Sequence, residues 1–567
     1  MISLSRQFDT LEQSPFDLLV IGAGIVGAAV AWDASLRGMK VLLVERNDFG
    51  RATSSGCFRI IHGGLRYLQH LDFARLNESV REQRTLRLIA PHLLKPLPFL
   101  VPCYGYGKRG RPFLRTGMML YDVLAQNRNE KVADAVRLPG HKVLNTSEVR
   151  QMAPGIPTEG LTGGVIFYDA QLTHCERFTF SVVKSAAAAG ATVINYCEAS
   201  GGELASVGGG REIKSVTLTD KLSRKVIKVS ASQIVNATGP KCEAVLGQLG
   251  FAGAGRGTLL PNGAQLSKGF QVVLPRIVES AAVAVESKDF DATSVVRRGG
   301  RSYFLVPWRG VTIAGTTDAP LQGDETDFKV TLPEVSQFIS ELRSAYDDKR
   351  IDVANVQGVF GGLLPTEELE SSVPKDKIRI AKRDIVIDHG LCDHVQCNNL
   401  LSVAGVKYTT FRALAERVVD LVAEKVAGSW RKCVTTSTAL CENGEVGVAI
   451  SSKRIRNQTL VNLTEHYGPE AQAVCSVIEE ESRFMQPVAA GGTTLLGEIA
   501  FALRHEMALT LEDIVLSRTA IGAEGWPGDV AVEKITQFMA GELGWDKGRQ
   551  DAEVQRLRER MTMGLVA

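Results

Sequence analysis

The sequence predicts an α/β protein in three parts: a Rossmann-like dinucleotide-binding domain, an inserted α+β cap domain, and a C-terminal helical domain. Three observations carry this expectation. A Gly-x-Gly-x-x-Gly turn stands between an apolar run and a helical pattern near the start of the chain. Short apolar runs that end at glycine or just before it return far downstream. From about residue 432 onward the periodicity is mainly helical, with no further nucleotide signal.

The first part begins with a buried strand at Leu18 to Ile21, a short apolar run followed by turn glycines. Ile25 to Leu36 reads as a helix that Arg37-Gly38 ends, and Val41 to Val44 as a second strand, which gives β-α-β order. Later pieces return to the same sheet. They are the strand Ala191 to Tyr196 after an alanine-rich helix (Phe178 to Ala189), the strand Gln233 to Val235, and the strand Leu400 to Val403 with a helix from near Thr410. Between them, residues 91–160 and 246–380 are richer in proline, charge and alternation. Tyr303 to Val306 and Thr312 to Gly315 read there as antiparallel strands. The expected division is therefore 16–90, 161–245 and 381–431 for the cofactor domain, 91–160 and 246–380 for the cap, and 432–567 for the helical domain. Thr510-Leu511-Glu512-Asp513 offers a cap to a short helix in the last of these.

Composition narrows the class. With 65 Lys+Arg against 63 Asp+Glu, the 567-residue chain has a formal charge of +2, which excludes a nucleic-acid binder driven by charge. The ten cysteines are scattered without a Cys-x-x-Cys pair, so unpaired thiols in a reducing compartment are expected, and no metal site. Met1 to Pro15 lacks a signal-peptide core. The longest apolar run, Leu18 to Trp32, falls short of the roughly 20 residues that span a bilayer. A cytoplasmic protein is expected.

Gly22-Ala23-Gly24-Ile25-Val26-Gly27 has the context a dinucleotide fingerprint requires. The first glycine permits the tight turn, the second admits a pyrophosphate, and the third lets the helix approach the strand. Helix N–H groups then face the phosphates. Glu45, 18 residues after Gly27, ends the second strand and can accept hydrogen bonds from a ribose. The fingerprint does not separate FAD from NAD. Thr53, Ser54 and Ser55, and a late turn at Gly405, Lys407, Tyr408 and Thr409, lean towards a long, buried FAD.

About forty residues past the fingerprint stands His62-Gly63-Gly64-Leu65-Arg66-Tyr67-Leu68. An imidazole can take a proton near neutral pH, and an arginine can grip an anion with two parallel bonds. This segment, together with Ala52-Thr53-Ser54-Ser55, Asn236-Ala237-Thr238-Gly239-Pro240, Pro307-Trp308, Gly315-Thr316-Thr317-Asp318 with Gly323-Asp324, and Lys407-Tyr408-Thr409-Thr410 with Arg412, resembles the FAD-dependent glycerol-3-phosphate dehydrogenases. That family sits within the D-amino-acid-oxidase-like flavoproteins. Glu506-Met507-Ala508 to Arg518-Thr519 resembles its C-terminal helical domain. The resemblance implies oxidation of a phosphorylated polyol, glycerol 3-phosphate to dihydroxyacetone phosphate first, with hydride passing to flavin N5 and electrons to a quinone or similar acceptor. It implies catalytic roles for His62, Arg66 and Lys407, and substrate contacts from Arg66, Tyr67, Arg383 and Lys407. The cofactor set it implies comprises Gly22, Ala23, Gly24, Ile25, Gly27, Glu45, Arg46, Thr53, Ser54, Ser55, His62, Gly63, Gly64, Ala199, Ala237, Gly239, Gly405, Lys407, Tyr408 and Thr409. Cys57 beside this segment reads as a small buried residue rather than a covalent flavin attachment.

One position departs from the family. Where its members usually carry Gly-Leu-Arg-Pro, this chain reads Gly362-Leu363-Leu364-Pro365. Losing a charge-assisted bond to an anion costs about 1.5–3 kcal/mol. Three outcomes stay open: another cation (Arg59, Arg298 or Arg301) fills in, the substrate is a related polyol phosphate such as erythritol phosphate, or activity is low. A flavin amine or amino-acid oxidase and a non-catalytic FAD-binding protein are the rival readings. Lys108, Arg109, Arg111 and Arg115 interleave with Phe113, Leu114, Met118, Met119 and Leu120. That segment reads as a cap helix with one buried face, and peripheral contact with the inner face of the cytoplasmic membrane is the alternative. A homodimer is compatible with the chain.

Overall fold

A computed structural model describes residues 2–13, 15–68, 70–107, 110–207, 209–251, 266–290, 300–321, 328–366, 380–392, 395–440 and 450–562. Lys108, Arg109, Arg298, Gly323 and Asp324 lie outside the described residues, as does the side chain of Arg301.

The core of the cofactor domain is a six-stranded sheet in the order Ile385–Asp388, Leu400–Ala404, Ala231–Asn236, Phe16–Ile21, Val41–Val44, Thr192–Ile194. Only the first pair is antiparallel. The central strands are buried because both faces are covered, and Val41–Val44 and the stretch Leu18 to Ile21 are unbroken runs of Val, Ile and Leu. The helix Ile25–Leu36 is almost wholly buried and packs between the helices Cys175–Ala188 and Phe411–Lys425. Four parallel strands therefore end side by side, and the turns after Ile21, Val44, Asn236 and Ala404 open onto one crevice, the place where doubly wound sheets bind ligands.

The second sheet is larger. Gly358–Pro365, Leu266–Pro275, Val311–Pro320, Gly300–Trp308, Ala282–Phe290, Leu94–Tyr104, Leu161–Leu172 and Ile60–Ile61 follow one another across it, and Lys142–Leu144 also pairs with Leu161–Leu172. The expected antiparallel pair of the cap is present as Gly300–Trp308 against Val311–Pro320. The domain division is less clean than the sequence suggests. Leu161–Leu172, grouped above with the cofactor domain, pairs with Leu94–Tyr104 along its length in the cap sheet. Ile60–Ile61 joins that sheet too, so the chain enters it immediately before His62.

The C-terminal part is helical, with Asn457–Tyr467, Ala471–Glu480, Leu496–His505, Asp529–Leu543 and Lys547–Thr562 around their own apolar clusters. Thr510 and Asp513 form the expected reciprocal cap. Buried ion pairs fasten this part to the cofactor domain. Arg518 donates to both oxygens of Asp48 at 2.6 and 2.7 Å, Lys184 reaches Glu470 at 2.6 Å and Glu506 at 3.1 Å, and Arg177 reaches Glu506 at 2.9 Å. Among the described residues no helix is long and apolar enough to cross a membrane.

Candidate active site

The glycine turn is shaped by contacts that leave no space for side chains. Gly22 has φ +98°, and a Cβ there would lie 2.8 Å from the Ala237 carbonyl oxygen. A Cβ at Gly27 would run into the Gly22 carbonyl, so the third glycine sets how closely helix and strand approach. The Glu45 carboxylate fixes the turn from the side. Oε2 accepts from the Ala23 N–H at 2.9 Å and Oε1 from the Asn47 N–H at 3.0 Å. Burial raises the Glu45 pKa and these bonds offset part of that rise. Ser54 Oγ accepts from the Ile25 N–H at 2.9 Å, at the first turn of the helix.

One continuous cavity of about 2970 Å³ runs from this turn to the cap sheet, far above the ~300–1,000 Å³ of an ordinary small-molecule site. Gly22, Gly24, Ile25, Glu45 and Arg46 line its start, with Ala199, Ala237 and Gly239 beside them. Thr53, Ser54, His62, Gly64 and the turn Gly405 to Thr409 line its middle. Its length, its glycine floor and the helix start beneath it fit a dinucleotide joined to a flat ring.

Four expected contacts stand behind the wall. Ala23 and Gly27 shape the turn from outside. Ser55 donates its hydroxyl to the carbonyls of Arg51 and Ala52, closing a local turn. Gly63 directs its N–H to Asp169 Oδ1 at 2.7 Å. A hydroxyl three residues from a carbonyl finds it within a turn, which the run Thr53-Ser54-Ser55 conceals.

The loop after the second strand lies hard against the cap strand Gly358–Pro365. A Cβ at Gly56 would run into the Gly361 carbonyl, and one at Gly362 would strike Thr53. Thr53 Oγ1 donates to the Leu363 carbonyl at 3.2 Å. Leu364 follows on this strand and lines the cavity.

His62, Tyr67 and Lys407 meet in this cavity. The His62 and Tyr67 ring centroids are 6.2 Å apart, and Lys407 Nζ lies 4.5 Å from the centre of the Tyr67 ring. The Thr409 hydroxyl accepts the His62 N–H at 3.2 Å. Burial, then Lys407 and Arg66, lower the His62 pKa to about 4, so its ring is neutral at pH 7. Burial also holds Lys407 below the usual lysine range, with Arg75 adding to the effect, and pushes Tyr67 up to about 12. The Tyr408 hydroxyl instead bonds Thr179 at 2.9 Å and donates to the Cys175 carbonyl at 3.3 Å.

The cations are not all where the sequence puts them. Arg66 lines the cavity and is largely exposed. Arg383 is exposed and outside the cavity lining, whereas its neighbour Lys382, in the same bend before the strand Ile385–Asp388, lines it. Arg59 is no substitute for the missing guanidinium. It is buried between the Trp308 and Phe360 rings, at 4.4 and 4.1 Å, and 3.5 Å from Glu176.

Two residues had escaped the sequence reading. Asp169 lines the cavity, and burial raises its pKa to about 6. An acid inside the apolar run Gly164-Val165-Ile166-Phe167-Tyr168-Asp169-Ala170 was the available signal, since buried carboxylates need partners. Arg75 also lines the cavity. The amphipathic helix Arg111–Leu124 buries Met118 and Tyr121, while Phe113, Met119, Leu120 and Val123 stand exposed.

Known proteins agree with this architecture. A family model described as FAD dependent oxidoreductase matches residues 17–417, and one described as the C-terminal domain of alpha-glycerophosphate oxidase matches residues 426–550. A glycerol-3-phosphate dehydrogenase of Synechocystis sp. is 30% identical over 570 residues, covering 99% of each chain. The mitochondrial glycerol-3-phosphate dehydrogenase of Saccharomyces cerevisiae is 26% identical, over 95% of this chain and 88% of its own. The structure of a Bacillus halodurans glycerol-3-phosphate dehydrogenase complexed with FAD has the same fold, with a TM-score of 0.71 at 23% identity, over 98% of this chain and 96% of its own. The glycine turn, the inserted cap and the helical tail thus have one source: the chain belongs to the FAD-dependent oxidoreductase family, among its glycerol-3-phosphate dehydrogenases.

Proposed function

We propose that this protein is an FAD-dependent dehydrogenase that oxidises sn-glycerol 3-phosphate to dihydroxyacetone phosphate. The observation that carries the reading is the meeting of a neutral His62 with Lys407 over the Tyr67 ring, in the cavity that begins at the dinucleotide turn. Bound FAD supplies the acceptor for a hydride. The rest falls to the chain. Gly22 and Gly24 admit the pyrophosphate at the helix start, and Glu45 offers its remaining lone pairs to a ribose hydroxyl. His62 takes the proton of the substrate's secondary hydroxyl on a ring nitrogen. Lys407 and Arg66 hold negative charge, and Tyr67 sets where Lys407 sits. Anaerobic addition of glycerol 3-phosphate to the yellow protein tests the reading. Loss of the visible flavin absorbance is expected, and an unchanged spectrum with this and every other polyol phosphate would overturn it.

Leu364 favours a second reading of the substrate. An isobutyl group on the cavity wall suits a longer or less polar polyol phosphate, erythritol phosphate among them. Comparing kcat/KM across a panel separates the two.

For the electron acceptor, a quinone reached at a membrane surface fits the helix Arg111–Leu124. Leu114 lines the cavity while Phe113 and Met119, 51% and 52% exposed, face outward with Arg111 and Arg115 on the same helix. Flotation with anionic liposomes should be lost when Arg111 and Arg115 become glutamate; binding that persists would refute this contact.

A further inference from the structure

We propose that Arg75 grips the substrate phosphate, supplying from the helix Phe73–Ile89 the guanidinium that the strand Gly358–Pro365 lacks at Leu364. The inference rests on the polyol-phosphate reading above. The strand Gly358–Pro365 carries no cation at all, yet Gly361 to Pro365 line the cavity. Arg75 approaches the same space from another element. Its guanidinium carbon lies 4.9 Å from the centre of the Tyr67 ring, the ring that Lys407 Nζ approaches at 4.5 Å and His62 at 6.2 Å. One aromatic side chain thereby sets the spacing of a base, an ammonium and a guanidinium.

Arg75 is aimed as well as near. Asp72 caps the helix by accepting the Arg75 N–H at 3.1 Å, and its other oxygen accepts Nε at 2.5 Å. That leaves the terminal nitrogens. Nη1 makes one long bond, 3.5 Å to the Lys382 carbonyl, and Nη2 has no partner among the described residues. A phosphate meets such an edge with two parallel bonds.

The surroundings call for an anion. Arg66, Lys382 and Lys407 line the cavity with Arg75. Of the nearby acids, Asp72 lines the cavity but is engaged by the Arg75 backbone N–H and Nε, Asp384 accepts from the Val406 N–H at 2.9 Å and from Arg417 at 3.1 Å, and Glu78 accepts from Arg417 at 3.1 Å. Of the other arginines the sequence offers here, Arg59 is enclosed by aromatic rings and Arg383 lies outside the cavity lining, which leaves Arg66 beside Arg75.

The test is steady-state kinetics of the holoenzyme with inorganic phosphate as a competitive probe. Arg75→Met keeps the backbone N–H that Asp72 accepts, so the helix start survives. Its KM for glycerol 3-phosphate should rise at least ~10-fold while kcat changes less than about 3-fold, and the phosphate inhibition constant should rise with KM. Arg75→Lys should recover part of the loss. Leu364→Arg added to Arg75→Met should restore KM, since it returns a guanidinium to the cavity wall. Unchanged KM and phosphate inhibition in Arg75→Met overturn the assignment. If the wild-type flavin is bleached by no polyol phosphate, it is the functional reading that fails.

Discussion

Asp169 accepts the Gly63 N–H at 2.7 Å from 106 positions along the chain. The same oxygen accepts Gln83 Nε2 at 2.7 Å, and that amide also donates to the Ile61 carbonyl at 2.7 Å. Asp169 and Gln83 thus hold the backbone on both sides of His62 from the cap strand Leu161–Leu172 and the helix Phe73–Ile89. The imidazole is presented by a braced backbone rather than by a free loop.

Asp169→Ala should lower both activity and stability. It removes the acceptor of two buried donors, each costing about 1–3 kcal/mol when left unpaired. Asp169→Asn keeps a carbonyl acceptor and should cost less. The pH dependence has a definite sign. With a folded pKa near 6, above its unfolded value, Asp169 favours the folded state at low pH, and that contribution is lost as pH rises through 6. Thermal melts of wild type and Asp169→Asn between pH 4 and pH 7 check this, with the mutant lacking that part of the dependence.

The acid limb of kcat/KM should respond to Lys407. His62 is held near 4 by burial first and by the Lys407 charge second. Lys407→Gln removes the second cause, so the His62 pKa rises and the acid limb moves to higher pH. A limb that stays in place in Lys407→Gln would show that His62 is not the group titrating.

Gly56→Ala should cost the protein its cofactor. The methyl group would run into the Gly361 carbonyl, prising the loop that carries Thr53 and Ser54 away from the cap strand. The flavin-to-protein ratio after purification measures this. Gly247→Ala, where nothing lies near the added carbon, serves as the control and should retain full colour.

The buried histidines should withdraw stability on acidification below neutrality, against the opposite contribution of Asp169. Burial lowers His92 and His389 to about 4 and His466 to about 3. In the unfolded chain each takes its proton near ~6.5. Between there and their folded values the unfolded state binds more protons, so stability declines as pH falls. Melting temperatures at pH 7 and pH 5 should differ in that direction, with His92→Phe reducing the difference.

Local sequence carried much of this fold. The helix Ile25–Leu36 and the strand Val41–Val44 have the expected bounds, because Gly24 and Gly38 bracket the helix and the strand is an unbroken apolar run between Lys40 and Glu45. The strands behind Asn236 and Ala404 were legible for the same reason. What escaped depends on distant pairing. Leu161–Leu172 belongs to the cap because Leu94–Tyr104 lies beside it, and nothing within its own residues says so. Asp169, Arg75 and the enclosure of Arg59 likewise come from contacts between elements far apart in the chain. Arg383 and Lys382 differ by one position, and only the path of the backbone decides which of them lines the cavity.

The ion pairs between Asp48 and Arg518 and among Lys184, Arg177, Glu470 and Glu506 reach further than the junction they close. Asp48 stands three residues after Glu45, so the loop beside the glycine turn is anchored to a segment some 470 positions away. A shortened version ending near residue 430 would leave Lys184 and Arg177 without their carboxylates, at about 3–5 kcal/mol for each buried pair broken, and Asp48 paired among the described residues only with Arg51, 3.8 Å away. The flavin half is therefore no self-sufficient cassette for fusion or transplantation, and both halves should melt together in a single cooperative step.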